Sequence, residues 1–265
     1  MLKTEMRNEK TKHIDKMTTA QMVEIINEEN YNCVKAVKEA SADIVLACDA
    51  AAKAVENGGR IFYIGAGTSG RLGIADAAEC PPTYGVPKES VIGIIAGGYK
   101  SLVQASENAE DNKDAGVEDF KAYAPDKKDI LIGISAAGGA KYVIGAIEYA
   151  KSIGCLTVGI TSNSGTLLDK IADISIVTDT GAEVVTGSTR MKAGTAQKLV
   201  LNMISTCAMI KTGKVYENLM INLKPANNKL TKRMIGIVCE ILGCTAEEGE
   251  RRLRDNDWNI RRAVE

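Results

Sequence analysis

A strand, a glycine-rich turn and a helix follow one another directly between residues 60 and 78, and this order constrains the fold most. The run Ile61–Ile64 is β-branched and aromatic, residues 65–70 read GAGTSG, and an Ala- and Leu-rich helical segment follows. The first N–H groups of a helix lack intrahelical partners and lie at the positive end of its dipole, so this turn suits an anion. Gly67, Thr68 and Ser69 are therefore candidate phosphate-binding residues.

Short apolar runs alternate with helical periodicity, which predicts an α/β fold with a parallel sheet covered on both faces. Strands are predicted at 60–64, 91–95, 129–134, 155–160 and 173–177. Helices are predicted at 69–78, 100–113, 141–152 and 190–211, preceded by helical patterning from Thr18 and a longer helix over 31–56. Ligands of such sheets bind beyond the carboxyl ends of the strands, where the polar loops 65–70, 135–140 and 161–166 fall.

The pattern divides the chain into three parts. Residues 1–57 are predicted to form an extended arm, 1–17, and helices packed on the core. Residues 58–222 are predicted to form the ligand-binding α/β domain, and residues 223–265 a small helical tail with helices near 227–241, 245–252 and 257–264.

Composition excludes several classes of protein. A net charge of −1 and 4% aromatic residues give no basic stripe or stacking platform for nucleic acid, and no apolar run is long enough to span a bilayer. The seven cysteines are scattered and form no CxxC pair, which indicates reduced thiols and a cytoplasmic protein. His13 is the only histidine, so we expect no histidine-based metal centre and no Ser-His-Asp triad. We also expect no cofactor.

Glu79 is a candidate proton carrier. It lies between alanines and the run Cys80–Pro82, where we expect the helix to end. Partial burial there would raise its pKa and let it carry a proton near neutral pH. The alternative is a solvated glutamate at the end of a helix.

A second carboxylate near Glu79 would provide one acid and one base, the pair that proton-transfer chemistry needs. The segment SENAEDN offers Glu110, whereas we interpret Glu107, Asp111 and Asp114 as a solvated acidic face. Sequence spacing alone does not show that Glu79 and Glu110 meet.

Residues 181–192 are dense in polar groups just before a long helix. Ser188 or Thr189 could cap that helix, and Lys192 could be a surface charge. The alternative is substrate binding at the ligand edge of the sheet, with Glu183 accepting hydrogen bonds from sugar hydroxyls. For the turn at 65–70, a sugar phosphate is favoured over a dinucleotide because no acidic residue ends the second strand; a merely structural turn is the third interpretation.

The segments TEMRNEKT, IGAGTSGRLGIADAAECPPTYG, ASENAEDN and GAEVVTGSTRMKAGTAQKLVLNMIST resemble the N-acetylmuramic acid 6-phosphate etherases, a family of the sugar isomerase (SIS) domain group. The resemblance runs from about residue 4 to 230. That family cleaves the D-lactyl ether of N-acetylmuramic acid 6-phosphate, giving N-acetylglucosamine 6-phosphate and D-lactate, a step in recycling cell-wall sugar.

The resemblance implies a flavodoxin-like three-layer parallel sheet (SIS domain) with N-terminal helices and a small C-terminal, UBA-like helical appendage. It implies a homodimer in which each partner helps to build the other's site. The family's two catalytic glutamates fall on Glu79, in AAEC, and Glu110, in AED. We assign Glu110 as base and Glu79 as acid, with no metal.

One loop departs from the family. Where the family has serine, glycine, arginine, threonine and proline before a tyrosine, residues 137–141 read Ala-Gly-Gly-Ala-Lys, so two hydroxyls and the arginine are missing. Ser135, Gly138 and backbone N–H groups, with Lys141, are left to bind the 6-phosphate. The altered loop favours an alternative, a non-catalytic sugar-phosphate-binding regulator; an aldose-phosphate isomerase is the third interpretation.

Overall fold

A five-stranded parallel sheet in the order β2-β1-β3-β4-β5 forms the centre of the protein. The computed structural model describes residues 1–104, 106, 108–225 and 227–265. The strands of this sheet are β1 (Ile61–Gly65), β2 (Val91–Ile95), β3 (Ile130–Ile134), β4 (Leu156–Thr161) and β5 (Ile174–Val177). All five lie where the alternating pattern predicts them, and the flavodoxin-like fold class is confirmed.

Helices cover both faces of the sheet. In chain order the helices of the described residues, including those of the C-terminal tail, are α1 (Thr19–Glu39), α2 (Ser41–Glu56), α3 (Gly67–Tyr84), α4 (Lys100–Val103), α5 (Lys113–Lys121), α6 (Lys141–Ser152), α7 (Leu167–Ile171), α8 (Lys192–Lys211), α9 (Asn228–Leu242), α10 (Ala246–Asp255) and α11 (Ile260–Val264). A short hairpin, β6 (Val215–Tyr216) and β7 (Leu219–Met220), precedes α9. None of the helices in the described ranges is long and apolar enough to cross a membrane.

Side chains of β1 alternate between two apolar cores. Ile61 and Tyr63 pack with residues of α2, α3 and α8 on one face, and Phe62 and Ile64 pack with residues of α5 and α6 on the other. Strand periodicity places successive side chains on opposite faces, so a strand buried on both sides reads as a continuous apolar run. This packing fixes the carboxyl ends of β1 and β3 side by side.

The C-terminal tail has an apolar core of its own. Ile221, Met234, Val238, Leu253 and Ile260 form a third buried cluster around α9, α10 and α11. This arrangement is in keeping with a separate tail, and the three-part division of the chain stays a prediction.

Two predicted helix boundaries were wrong. The helix expected over 31–56 breaks at Ala40, whose backbone leaves the helical region (φ −84°, ψ 9°), so α1 and α2 are separate helices. α3 was expected to end at Cys80–Pro82 but continues to Tyr84. Its stop signal is Gly85, which adopts φ 65° and donates its N–H to the Pro81 carbonyl at 2.9 Å.

The helix predicted over 100–113 was also wrong. α4 ends at Val103, and after Asn108, in the left-handed region at φ 60°, residues Ala109–Asp111 form a 3-10 turn. α5 begins only after Asn112, whose side chain accepts the N–H of Ala115 at 3.0 Å. Asparagine tolerates the left-handed conformation and is a favoured N-cap residue. Asn108 and Asn112 therefore mark the break between the two helices, which the acidic residues around them made hard to recognise in the sequence.

The N-terminal arm was predicted to be extended, and this was wrong. It folds into three short 3-10 turns on the carboxyl edge of the sheet. Thr4 is fully buried, and its hydroxyl accepts a hydrogen bond from Asn163 Nδ2 at 3.0 Å. The Thr11 hydroxyl donates to the Val184 carbonyl at 2.8 Å. These bonds fix the arm over the loops where ligands of parallel sheets bind.

Candidate active site

A cavity of about 360 Å³ opens where the carboxyl ends of β1 and β3 meet. In this strand order the loops after β1 and β3 diverge to opposite faces of the sheet, which leaves a crevice suited to a ligand. The described residues that line it are Glu5, Ala66, Gly67, Thr68, Ser69, Glu110, Asp111, Ile134, Ser135, Ala136, Ala137, Gly139, Ala140, Gly187 and Thr189.

The loop after β1 brings its predicted residues to this cavity. Gly67 has φ 54° and begins α3, with Thr68 and Ser69 in the first turn. Ser69 is largely buried, and its hydroxyl donates to Gln197 Oε1 at 3.0 Å. The structure therefore holds the turn rigidly against α8, with the start of a helix facing the cavity.

The loop after β3 forms the opposite wall. The Ser135 hydroxyl accepts the N–H groups of Gly138 at 3.1 Å and Ala140 at 3.5 Å. Gly138 does not line the cavity; it has φ 68° in close contact with Thr166, so it shapes the loop. Ala137 and Ala140 line the cavity with methyl groups where hydroxyls would otherwise donate hydrogen bonds.

Carboxylates dominate the charge of the cavity. Glu5, Glu110 and Asp111 line it, and no lysine or arginine does so among the described residues. Lys141, at the end of the loop, pairs with Asp111 at 3.3 Å while both side chains remain exposed. The carboxylates of the cavity can therefore accept hydrogen bonds from sugar hydroxyls, but the cavity provides little positive charge for a phosphate.

Glu79 lies away from this cavity within a single chain. It is exposed on α3, twelve residues after Gly67, which corresponds to about 18 Å along a helix axis. It lines neither the cavity with Glu110 nor the adjoining one. The partial burial expected for Glu79 is absent from the single chain, and one chain does not bring the two glutamates together.

Glu183 and Lys192 have structural partners instead. Glu183 is fully buried, and its two carboxylate oxygens accept the N–H groups of Lys192 and Ala193, each at 3.0 Å. It thereby caps α8, the role considered for Ser188 or Thr189. Of that predicted group only Thr189 lines the cavity; Ser188 does not.

Lys192 belongs to a buried ion-pair network. Its ammonium group donates to Glu29 Oε2 at 2.6 Å, and Lys10 and Asn8 also contact the Glu29 carboxylate, at 3.2 Å and 2.8 Å. Burial by itself would raise the pKa of Glu29, but the hydrogen bonds from Lys192, Lys10 and Asn8 outweigh it and leave the pKa lowered. Lys192 is therefore not a surface charge, and it does not reach the cavity.

Sequence reasoning missed two carboxylates that the structure places at the cavity. Asp111 was interpreted as part of a solvated face, and its side chain is exposed, but it also lines the cavity beside Glu110. Glu5 was given no role, although it lies in the segment TEMRNEKT that carries part of the family resemblance. Glu107 lies outside the described residues, and Asp114 is exposed on α5. No group of three or more His, Cys, Asp or Glu side chains within the described part of the chain could hold a metal ion.

Comparison with known proteins gives two family matches and several close relatives. Residues 43–151 match the glucokinase regulatory protein N-terminal SIS domain, and residues 119–206 match the SIS domain. The N-acetylmuramic acid 6-phosphate etherase of Clostridium beijerinckii is 51% identical over 263 residues, covering 99% of this chain and 86% of that protein. The protein of the same name from Pasteurella multocida is 47% identical, covering 99% of this chain and 87% of that protein.

Solved structures share the fold at low identity. A phosphoheptose isomerase from Francisella tularensis has a TM-score of 0.51 at 16% identity, covering 72% of this chain and 98% of that one. The phosphoheptose isomerase from Neisseria gonorrhoeae has a TM-score of 0.50 at 18% identity, covering 71% and 98%. At these identities the likeness shows the fold alone. The two etherases are 51% and 47% identical to this protein over nearly its whole length. This identity shows that the chain belongs to the N-acetylmuramic acid 6-phosphate etherase family, and it has the SIS-domain fold.

Proposed function

We propose that this chain is a carbon–oxygen lyase that cleaves the D-lactyl ether of N-acetylmuramic acid 6-phosphate, giving N-acetylglucosamine 6-phosphate and D-lactate. One observation carries the proposal: Glu110 lines a cavity at the β1/β3 crevice together with Thr68, Ser69 and Ser135. A carboxylate that can act as a general base thus lies beside hydroxyls and a helix N-terminus suited to a sugar phosphate. The etherase names of relatives that are about half identical support the same reaction.

The proposed chemistry needs two carboxylates and no metal. In the open-chain sugar the C1 aldehyde acidifies the C2 proton, and the lactyl oxygen is attached to C3. Glu110 removes the C2 proton, the C2=C3 double bond forms, and the C3–O bond breaks as an acid protonates the departing lactate oxygen. Water then adds its hydroxyl to C3 and a proton to C2. Two carboxyl groups with different pKa values can carry all of these protons.

We assign the acid to Glu79 of a second copy of the chain. Within one chain Glu79 is exposed and remote from the cavity, so it can reach the cavity only across an interface. A homodimer with a twofold axis would place each Glu79 over the other copy's site. The free state of all seven cysteines and the proposed substrate support action in the cytoplasm.

We propose that the 6-phosphate binds between the start of α3 and the loop after β3, where Thr68, Ser69 and Ser135 line the cavity and Gly138 shapes the loop. The missing hydroxyls at Ala137 and Ala140 would weaken this contact, because each hydrogen bond to a charged group is worth roughly 1.5–3 kcal/mol. The enzyme is therefore expected to have a high KM rather than a low kcat.

The second candidate is a non-catalytic sugar-phosphate-binding regulator. Two observations favour it: the altered loop, and the match of residues 43–151 to the glucokinase regulatory protein N-terminal SIS domain. An aldose-phosphate isomerase would also need a base near C2. Only the etherase releases lactate, so a lactate assay separates it from the other two candidates.

The test is incubation with N-acetylmuramic acid 6-phosphate followed by a D-lactate assay. We expect lactate from the unaltered protein and a fall of about 10²–10⁴-fold in kcat for Glu110→Gln, the range for losing a general base. Glu118→Gln, an exposed glutamate on α5, is the matched control and should retain activity. Binding of N-acetylglucosamine 6-phosphate without lactate release would support the regulator and contradict the enzyme.

A further inference from the structure

A second cavity of about 260 Å³ adjoins the first, and the two share Ala66, Gly67 and Glu110. It lies between the loops after β1 and β2. The remaining described residues that line it are Arg71, Ala96, Ser101, Ser106, Asn108 and Ala109. Glu110 thus stands on the boundary between the two cavities, so a substrate that reacts at Glu110 can extend into both.

Arg71 provides the positive charge that the first cavity lacks. It lies one helical turn after Gly67 on the same face of α3. Among the described residues that line the two cavities, no other lysine or arginine is present. The Arg71 Nε donates to the Leu102 carbonyl at 3.0 Å, which orients the guanidinium. The two terminal nitrogens make no hydrogen bond to any described residue, and a guanidinium presents a fork of donors whose geometry suits a carboxylate or phosphate.

Two hydroxyls also line this cavity. The Ser101 and Ser106 hydroxyl oxygens are 2.6 Å apart, so one hydroxyl donates to the other and the second hydrogen is left to donate elsewhere. The close approach depends on Gly97, at φ 81°, because a Cβ there would collide with Ser101. A guanidinium and a hydroxyl pair facing one small space form a site for an anionic group.

We propose that Arg71 binds the carboxylate of the lactyl group, an inference that rests on the proposed function. That substrate carries two anionic groups, the phosphate on C6 and the carboxylate on the ether substituent at C3. With the phosphate between α3 and the loop after β3, and C2 at Glu110, the substituent on C3 extends away from C6. The cavity on that side of Glu110 is the one that contains Arg71.

This placement makes Arg71 a determinant of specificity for the leaving group. A bidentate contact between its terminal nitrogens and the carboxylate would fix the ether oxygen relative to Glu110. The positive charge would also stabilise the negative charge that develops on the lactate oxygen as the C3–O bond breaks. A 3-O-ethyl analogue, which lacks the carboxylate, would gain neither effect.

The experiment compares the full-length protein with Arg71→Met and Arg71→Lys. We expect Arg71→Met to lower kcat/KM for lactate release by about 100-fold, the loss that follows from removing charge-assisted hydrogen bonds. Product inhibition by D-lactate should weaken about tenfold, while the Kd of N-acetylglucosamine 6-phosphate stays nearly unchanged. Arg71→Lys should recover part of both losses, since it keeps the charge but not the fork.

Arg233→Met, the same change at an exposed position on α9, is the matched control, and thermal unfolding verifies that each variant is folded. A larger loss of affinity for N-acetylglucosamine 6-phosphate than for D-lactate would overturn the assignment and place the phosphate at Arg71. Unchanged kcat/KM and unchanged inhibition by D-lactate would also overturn it. If the unaltered protein releases no lactate while binding the sugar phosphate, the proposed function fails instead.

Discussion

Two regions of this protein concentrate charged side chains, and they differ in how those charges are satisfied. In the buried network, Lys192, Glu29 and Glu183 are nearly inaccessible, and each is held by hydrogen bonds to other groups of the chain. At the two adjoining cavities, Glu110 is exposed with no salt bridge to a described residue, and the terminal nitrogens of Arg71 are free of described partners.

The difference separates structural charges from candidates for a functional role. A buried charge must be paired or the native state pays its desolvation free energy, so the network around Lys192 is complete. A charge that acts on a substrate must keep its donors or acceptors available until the substrate arrives. Accounting for partners therefore makes Glu183 and Lys192 weaker candidates for substrate contact than Glu110.

The largest effect is expected from mixing two inactive variants. Glu79→Gln and Glu110→Gln should each lower kcat by about 10²–10⁴-fold, because each removes one proton-transfer group. If each site combines Glu110 of one copy with Glu79 of the other, randomly mixed dimers should regain about a quarter of the original activity. Lactate release after unfolding and refolding the two variants together measures this.

Equal amounts of a Glu79→Gln, Glu110→Gln double variant and unaltered protein provide the control for subunit exchange. Recovery no greater than the sum of the separate variants would show that one chain supplies both groups, which contradicts the assignment of Glu79 to a second copy.

Sequence predicted the sheet and the first ligand loop because both depend on local chemistry. The run Ile61–Ile64 is buried on both faces, and the glycines after it allow the backbone to turn directly into α3. Such signals are encoded within a few residues. The resemblance to the etherase family added residue roles, and the family assignment itself was confirmed.

The parts that sequence did not predict depend on contacts between distant segments. Glu183 caps α8 from nine residues away, and the partner of Lys192 lies 163 residues earlier in the chain. The cavity position of Glu5 depends on the burial of Thr4 against Asn163. Hydrophobic periodicity reports which residues are apolar on one element, so it cannot identify the polar partners that tertiary packing brings together.

The second-largest effect tests the structural side of the comparison. Lys192→Met leaves the Glu29 carboxylate buried without its closest cation, so the free energy of unfolding should fall by about 3–5 kcal/mol. Denaturant unfolding measures this. Lys198→Met, at an exposed position on the same helix, should change stability little. An unchanged stability of Lys192→Met combined with a raised KM would instead place Lys192 in substrate binding.

A smaller effect is expected from restoring hydroxyls to the loop after β3. Ala137→Ser and Ala140→Thr each add a donor to the wall of the cavity opposite Thr68. Each should lower the Kd of N-acetylglucosamine 6-phosphate by about tenfold or more, because a hydrogen bond to a charged acceptor is worth roughly 1.5–3 kcal/mol. Isothermal titration calorimetry measures the affinity.

Ala136→Ser lies in the same loop and also lines the cavity, so it tests whether the position of the added hydroxyl matters. Tighter binding by all three variants alike would show a general effect of loop polarity rather than a specific phosphate contact. No gain in any of them would place the phosphate elsewhere and weaken the placement of the substrate along the two cavities.

The smallest effect is a dependence of stability on pH that belongs to the buried network. The pKa of Glu29 is lowered from its ordinary value of 4.5, because the hydrogen bonds from Lys192, Lys10 and Asn8 outweigh the opposing effect of burial. A carboxyl group whose folded-state pKa is lowered contributes stability above its unfolded pKa and loses it as pH falls through the folded pKa. The free energy of unfolding should therefore decrease below pH 4.5, and Glu29→Gln should remove that part of the decrease. Identical pH profiles for the two proteins would show that Glu29 keeps its ordinary pKa, and the contrast between a satisfied network and an unsatisfied cavity would lose its electrostatic basis.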